Sequence, residues 1–259
     1  MDFAGGRAEA AAVTVGHRGT NDPTAEPRAV DAGAVEGFCA MKSTWVRELA
    51  RHCLKLALIC VCAGVAFVGW RAAKTFILSH GQDRRVAQQA QGLLHDSRSP
   101  VLGDPAGDVT IVEFFDYACP TCRATEPHIE ALLHADPHVR IIAKEYPVLS
   151  PESVVASRAA LAAARQGKYA AYHQALLSYP GPLTPEAIFG VAQDLKLDLA
   201  RLRQDMDAPE VSEEINANLR LGQAIQAPGT PTLVAGGHIL MQSPTEIDFP
   251  ALARTLRGR

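Results

Sequence analysis

Aromatic residues are scarce in this sequence, charged blocks are missing, and cysteine nearly vanishes from its larger part. Aromatics make up 6% of the 259 residues, and 25 Lys and Arg stand against 28 Asp and Glu, for a formal charge of −3 and a pI near 6.3. Without a basic block to neutralise phosphates, nucleic-acid binding is excluded. Of the six cysteines, Cys39, Cys53, Cys60 and Cys62 precede position 63, and only Cys119 and Cys122 follow it. A multi-bridge disulfide scaffold is thereby excluded, and the fold must rest on an apolar core, for which the chain is long enough. No internal repeat is visible.

Residues 1–40 are rich in Ala and Gly and lack periodicity, a composition that buries too little apolar surface to offset its ordering entropy; disorder is expected there. Met41 then opens a basic stretch that runs into an apolar one, as an export signal or membrane anchor does, so Met41 is a candidate for the true start. From Leu56 to Trp70 there are 15 residues without a charge. That is short of the roughly 20 that span a bilayer, but extensible through Leu54 and a snorkelling Lys55. The small residues of "AGVA" at 63–66 offer only a weak cleavage site, whereas Trp70, Arg71 and Lys74 look like an anchor boundary. An anchor through about 54–70 is therefore expected ahead of a cleaved signal or a buried helix. Lys42, Arg47, Arg51 and Lys55 precede it and only Arg71 and Lys74 closely follow, which biases the N-terminus inward and the C-terminal part toward the oxidising side. Residues 41–74 are thus read as anchor or signal and 75–99 as a polar, helix-prone linker.

A Pro/Gly stretch, "SPVLGDPAGD", leads into a domain over 100–259. "VTIVEFF" (109–115) reads as a buried strand, 120–134 as a helix and "VRIIAKEY" (139–146) as a second strand, so a parallel pair is predicted. A helical block over about 150–226 follows, with Thr184 and Pro185 opening one of its helices. Two short strands around Gly236-Gly237 and a closing helix finish the chain. The order βαβ, helical insertion, ββα places the domain in the α/β class.

Cys119 and Cys122 admit three readings. As a staple their disulfide closes so small a loop that it removes little unfolded-state entropy. As a zinc site they combine with His134 and His138 into C-x2-C-x11-H-x3-H, near zinc-finger spacing, but Pro137 breaks the helix that must align the histidines. As a redox dithiol they fit their flanks. If a helix starts at Cys119 with Pro120 in its first turn, the unpaired N–H groups stabilise a Cys119 thiolate. Cys122, one turn on, is then placed to resolve a mixed disulfide. Glu113 shares a strand face with Phe115, where an ionised carboxylate is costly; a raised pKa would let it exchange a proton with Cys122, and its bland alternative is an exposed strand-edge Glu. A dithiol of this kind needs no metal or organic cofactor. The same two thiolates would also suit Cu(I) sequestration in metal-stress defence, although no Met or His cluster surrounds them.

"VLGDPAGDVTIVEFFDYACPTC", "KEYPVLSPESVVASRAALAAARQGKY" and "GTPTLVAGG" together resemble thioredoxin-fold thiol oxidoreductases of the DsbA superfamily, in particular its ScsC-like branch. The resemblance implies a thioredoxin fold with a helical insertion, Cys119 as nucleophile, Cys122 as resolving cysteine, and Glu113 as the acid behind them. It also implies a cis-proline loop at Thr230-Pro231 that binds substrate. Its expected partners are cysteine-containing protein clients and a membrane redox protein that recycles the dithiol, in a bacterial periplasm or other extracytoplasmic space. The Pro120-Thr121 dipeptide departs from the Pro-His of the strong oxidases, so a milder oxidant is expected, and Thr230 before the proline is similar to the isomerases. Residues 75–97 resemble an oligomerising extension, but they are short and tethered behind the apolar segment, which weighs against oligomerisation.

Overall fold

The computed structural model describes residues 32–258, which divide into two compact units, one ending at Phe67 and the other beginning at Val68. The disorder expected for residues 1–40 falls mostly outside the described range. Helix α1 (Ala32–Gln88) carries the apolar stretch, and Arg47–Lys74, 28 residues with a mean hydropathy of 2.1, is long and apolar enough to cross a membrane. None of its most apolar window is buried, and Leu54, Leu56 and Ile59 are exposed. Apolar side chains facing outward along so many turns are costly in water and favourable in hydrocarbon.

After α2 (Ala90–Leu94) the second unit is built on a five-stranded sheet. Strand β1 (Val101–Gly103) leads to β2 (Val109–Phe115), helix α3 (Pro120–Ala135) and β3 (Val139–Glu145). Helices α4 (Pro151–Ala164), α5 (Tyr169–Leu177), α6 (Pro185–Asp194), α7 (Leu199–Met206) and α8 (Pro209–Ile225) form the insertion. Then come β4 (Thr232–Ala235), β5 (His238–Ile239), a single 3-10 turn and α9 (Phe249–Arg257). The strand order is β1-β3-β2-β4-β5, with β2 and β3 parallel and the other pairs antiparallel.

The predicted parallel pair and the closing ββα are present; β1 is an addition, because three residues beside a Pro/Gly stretch carry no periodic signal. Gly103 turns the chain off β1 at φ +80, and an added Cβ there would come 2.5 Å from the Val139 carbonyl oxygen. Only glycine accepts both demands.

Strand alternation divides the buried side chains between two cores. Ile111, Phe115, Ile141 and Ala143 join α3 and the insertion helices on one face, while Val112, Phe114, Ile142 and Val234 meet Leu221 and Ile225 of α8 on the other. Val86 and Leu93, from the stretch read as a linker, belong to this second core. In α4, buried Ala156, Ala159, Ala160, Ala162 and Ala163 give a small-residue surface on which α5, α6, α7 and α8 pack. The insertion is thereby tied into both cores, α4 to α7 and the start of α8 in the first and the end of α8 in the second.

Candidate active site

The chain leaves β2 through Asp116, a fully buried carboxylate that accepts four hydrogen bonds. The Ala118 N–H and the Ser153 hydroxyl donate to Oδ1 at 2.8 and 2.6 Å, and the Val148 and Leu149 N–H groups donate to Oδ2 at 2.8 and 3.0 Å. Asp116 therefore pins the turn before the cysteines to the loop that enters α4. Charge-assisted bonds of this kind are about twice as strong as neutral ones.

Cys119 is the N-cap of α3 and Pro120 its first residue. The Cys122 N–H donates to Cys119 Sγ at 3.4 Å, and Sγ lies 3.1 Å from the Thr230 carbonyl oxygen, to which it can donate only in the protonated thiol form. The Thr230-Pro231 bond is cis, which brings the expected loop against the dithiol across 111 residues of sequence. Both cysteines are free thiols, Cys119 4% and Cys122 1% exposed, while Pro120 and Thr121 between them face solvent.

The two sulfurs differ sharply. A hydrogen bond from the Cys122 thiol, against the opposing cost of burial and with help from the Thr230 side chain and the N–H groups of Cys122 and Thr121, lowers the Cys119 pKa to about 5. Burial first, then the bond to Cys119 and the charge of Glu113, pushes the Cys122 thiol upward. Cys119 is thus a thiolate at neutral pH and Cys122 its proton-bearing neighbour.

Glu113 lies in the central strand between Ala143 of β3 and Leu233 of β4, and is 1% exposed. It is therefore no edge residue. Burial, followed by the charges of Glu126 and Cys119, holds its carboxyl well above the usual range, and its Oε2 has no hydrogen-bond partner. His134 stands in the last turn of α3 and His138 beyond it. At 1.5 Å per residue, Cys122 and His134 are about 18 Å apart along the helix axis, so the zinc-finger spacing does not gather its ligands.

Four further groups escaped sequence reading: Glu126, Tyr117, His173 and Glu145, all buried. Glu126 had a legible signal, since it occupies the apolar stripe of α3 with Cys122, Ile129 and Leu132. His173 had none, because only the packing of α5 turns it inward.

The fold and site define a class: a thioredoxin-like domain presenting a helix-capping thiolate beside a cis-proline loop. A family model described as "DSBA-like thioredoxin domain" matches residues 110–256. The chain belongs to that family, one of thiol-disulfide oxidoreductases.

Among solved structures, a thioredoxin-like oxidoreductase from Silicibacter pomeroyi is 40% identical, with a TM-score of 0.60 over 64% of this chain and 97% of that one. The catalytic domain of Proteus mirabilis ScsC is 25% identical, with a TM-score of 0.59 over 68% of this chain and 97% of that one. A curated Na(+)/H(+) antiporter, NhaA 1 of Salinispora arenicola, is 32% identical over 143 residues, which are 54% of this chain and 22% of the antiporter. This chain spans about a fifth of that relative.

Proposed function

We propose that the protein exchanges disulfides with cysteine-containing proteins on the extracytoplasmic side of a bacterial membrane, held there by the Arg47–Lys74 helix. The observation that carries this reading is the asymmetry of the dithiol, a Cys119 sulfur capped by a helix N-terminus and facing Thr230 with Cys122 buried behind it. Cys119 attacks a client disulfide, or the oxidised pair is attacked by a client thiolate; Cys122 resolves or leaves. The Thr230 backbone beside the sulfur offers the edge along which an extended client lies, as in strand addition. Glu113 exchanges a proton with Cys122.

A thiolate pKa of about 5 lies between the values near 7 of thioredoxin and 3.5 of DsbA. The recycling membrane partner and the redox poise of the compartment then decide whether oxidation, reduction or isomerisation results. Replacing Cys119→Ser is expected to abolish both insulin reduction and oxidative refolding of a reduced client. Full activity in that variant would defeat the reading.

A further inference from the structure

Under the function proposed above, the Thr230 edge holds client backbone, which every client has. A choice among clients needs a side-chain contact close to the reacting sulfur. Ala118, the residue before Cys119, lines a cavity of about 470 Å³ together with Arg123 of α3, Ser150 and Glu152 at the start of α4, and the 182–185 stretch that opens α6. Consecutive Cα atoms lie about 3.8 Å apart, so this space begins one residue from the attacking cysteine.

The walls come from three parts of the chain, and each is fixed. Asp116 accepts from the Ala118 N–H at 2.8 Å and from the Ser153 hydroxyl at 2.6 Å, which joins the first wall to the second. Ser150 caps α4 through the Ser153 N–H, and Thr184 caps α6 through the Ala187 N–H. Leu183 is buried in the first core, and Pro180, Pro182 and Pro185 restrict the backbone around it. Arg123 Nε and Nη1 donate to the Leu177 and Gly181 carbonyl oxygens at 3.1 and 3.2 Å, tying the third wall to α3. The cavity is therefore shaped before a client arrives, and filling it costs little ordering of the protein.

Two charged side chains line it, and they differ. The Arg123 guanidinium is held by carbonyl oxygens, which orient it without neutralising it; among the described residues it forms no ion pair and its Nη2 makes no hydrogen bond. Its outer edge, Nη1 and Nη2, thus keeps donors to spare. Glu152 makes neither a hydrogen bond nor an ion pair among the described residues and stands half-buried in the first turn of α4, so its carboxylate can turn toward water. Ala118, Pro182, Leu183 and Pro185 supply apolar surface. A fixed guanidinium in such a recess favours a carboxylate on a short aliphatic stem, because the two planar groups match prong for prong.

We propose that this cavity is a client subsite and Arg123 its specificity residue, taking an Asp or Glu side chain close to the client cysteine. The subsite rests on the exchange function proposed above. Thr230 aligns the client backbone at Cys119 Sγ, and Arg123 reads one side chain beside it. An extended chain advances roughly 3.3 Å per residue, which puts the acid within about three positions of the cysteine. Glu152, of the same sign as the client acid, tempers the preference.

The test uses the oxidised full chain in detergent and single-cysteine peptides that carry Glu or Gln at one position, from three residues before the cysteine to three after. The peptide thiolate bonds to Cys119 Sγ, the Cys119–Cys122 bond breaks and the electron pair leaves on Cys122 Sγ; a second peptide thiolate then displaces Cys119, leaving a peptide disulfide and the reduced dithiol. Loss of the protein disulfide is read by acid quench, alkylation and mass spectrometry. Each rate is divided by that of the same peptide with uncharged dithiodipyridine, which cancels the effect of the acid on the peptide thiol. At one or two neighbouring positions the Glu peptide is expected to react about two- to fivefold faster than the Gln peptide, the range a half-exposed ion pair supports, and added salt lowers the ratio. Arg123→Gln is expected to bring the ratio to one, and Glu152→Gln to raise it.

A merely structural Arg123 gives a different result: losing its bonds to Leu177 and Gly181 slows every peptide alike and leaves any Glu:Gln ratio in place. Equal Glu and Gln rates at all positions in an active wild type overturn the subsite alone, and so does a preference for Gln or one that survives Arg123→Gln. If that variant does not fold, salt and Glu152→Gln decide, and a ratio that responds to neither overturns the subsite. A wild type inert toward every peptide overturns the exchange function and the subsite with it.

Discussion

At the scale of single residues, the chemistry turns on one sulfur. Because Cys119 titrates at about 5, alkylation of the reduced protein by iodoacetamide is expected to stay fast from neutral pH to about pH 6 and to slow through pH 5. Half-maximal rate near pH 9 would contradict the geometry. The same shift has a stability consequence. A thiol whose folded pKa lies below its unfolded one, ordinarily 9, contributes stability that is complete above pH 9 and lost as pH falls through 5. The reduced protein, which has this thiolate, is therefore expected to gain melting temperature relative to the oxidised protein, which lacks it, as pH rises from 5 to 9. A difference that is constant over that range counts against the shift. Cys119, Cys122 and Glu113 were legible in sequence because each breaks its local pattern. Tyr117 and Glu145 were not, since a Tyr in a loop and a Glu at a strand end are ordinary surface residues until the fold buries them.

At the scale of elements, propensity and capping set most boundaries. Ser150, Thr184 and Asp248 each accept a hydrogen bond from a first-turn N–H, and prolines open α3, α4, α6 and α8. Such caps contribute about 1 kcal/mol each. Pro127 sits inside α3, where it donates no backbone bond, yet the helix continues because Ile129 and Leu132 pack in the core. The end of β3 is less conventional. Lys144 and Glu145 are both fully buried and point to opposite faces, Glu145 toward the tyrosines and Lys144 toward the Gly92 carbonyl at 2.8 Å and Ser99 Oγ at 2.7 Å. Lys144 thus fastens the segment before β1 to the sheet. Lys144→Met keeps the volume and removes those bonds, worth about 1.5–3 kcal/mol for a charged donor. Amide exchange over residues 90–99 is expected to accelerate about 10- to 100-fold, with disulfide exchange retained. Unchanged protection there would show that the apolar contacts of Leu93 hold the segment alone.

At the scale of the whole molecule, the domain buries several acids together. Burial, chiefly, raises Glu113 well above its ordinary 4.5, Glu145 to about 8 and Glu214 to about 7. Between pH 4.5 and 8 the folded state therefore binds more protons than the unfolded one, and stability falls as pH rises through that window. The urea midpoint of the oxidised protein is expected to be higher at pH 5 than at pH 8. The reverse order would mean that these carboxyls titrate normally.

By itself the sequence determined the order of elements after β1, the paired cysteines and their family, and an apolar stretch fit to cross a membrane, because strand alternation, helix caps and unbroken apolar runs are local properties of neighbouring residues. Tertiary structure decided how closely Thr230 approaches Cys119, that Asp116 gathers two loops, and that Tyr117 joins buried His173 to buried Glu145. Those contacts join residues 28 to 111 positions apart. Their energy comes from desolvation and from partners that the chain assembles only when it folds.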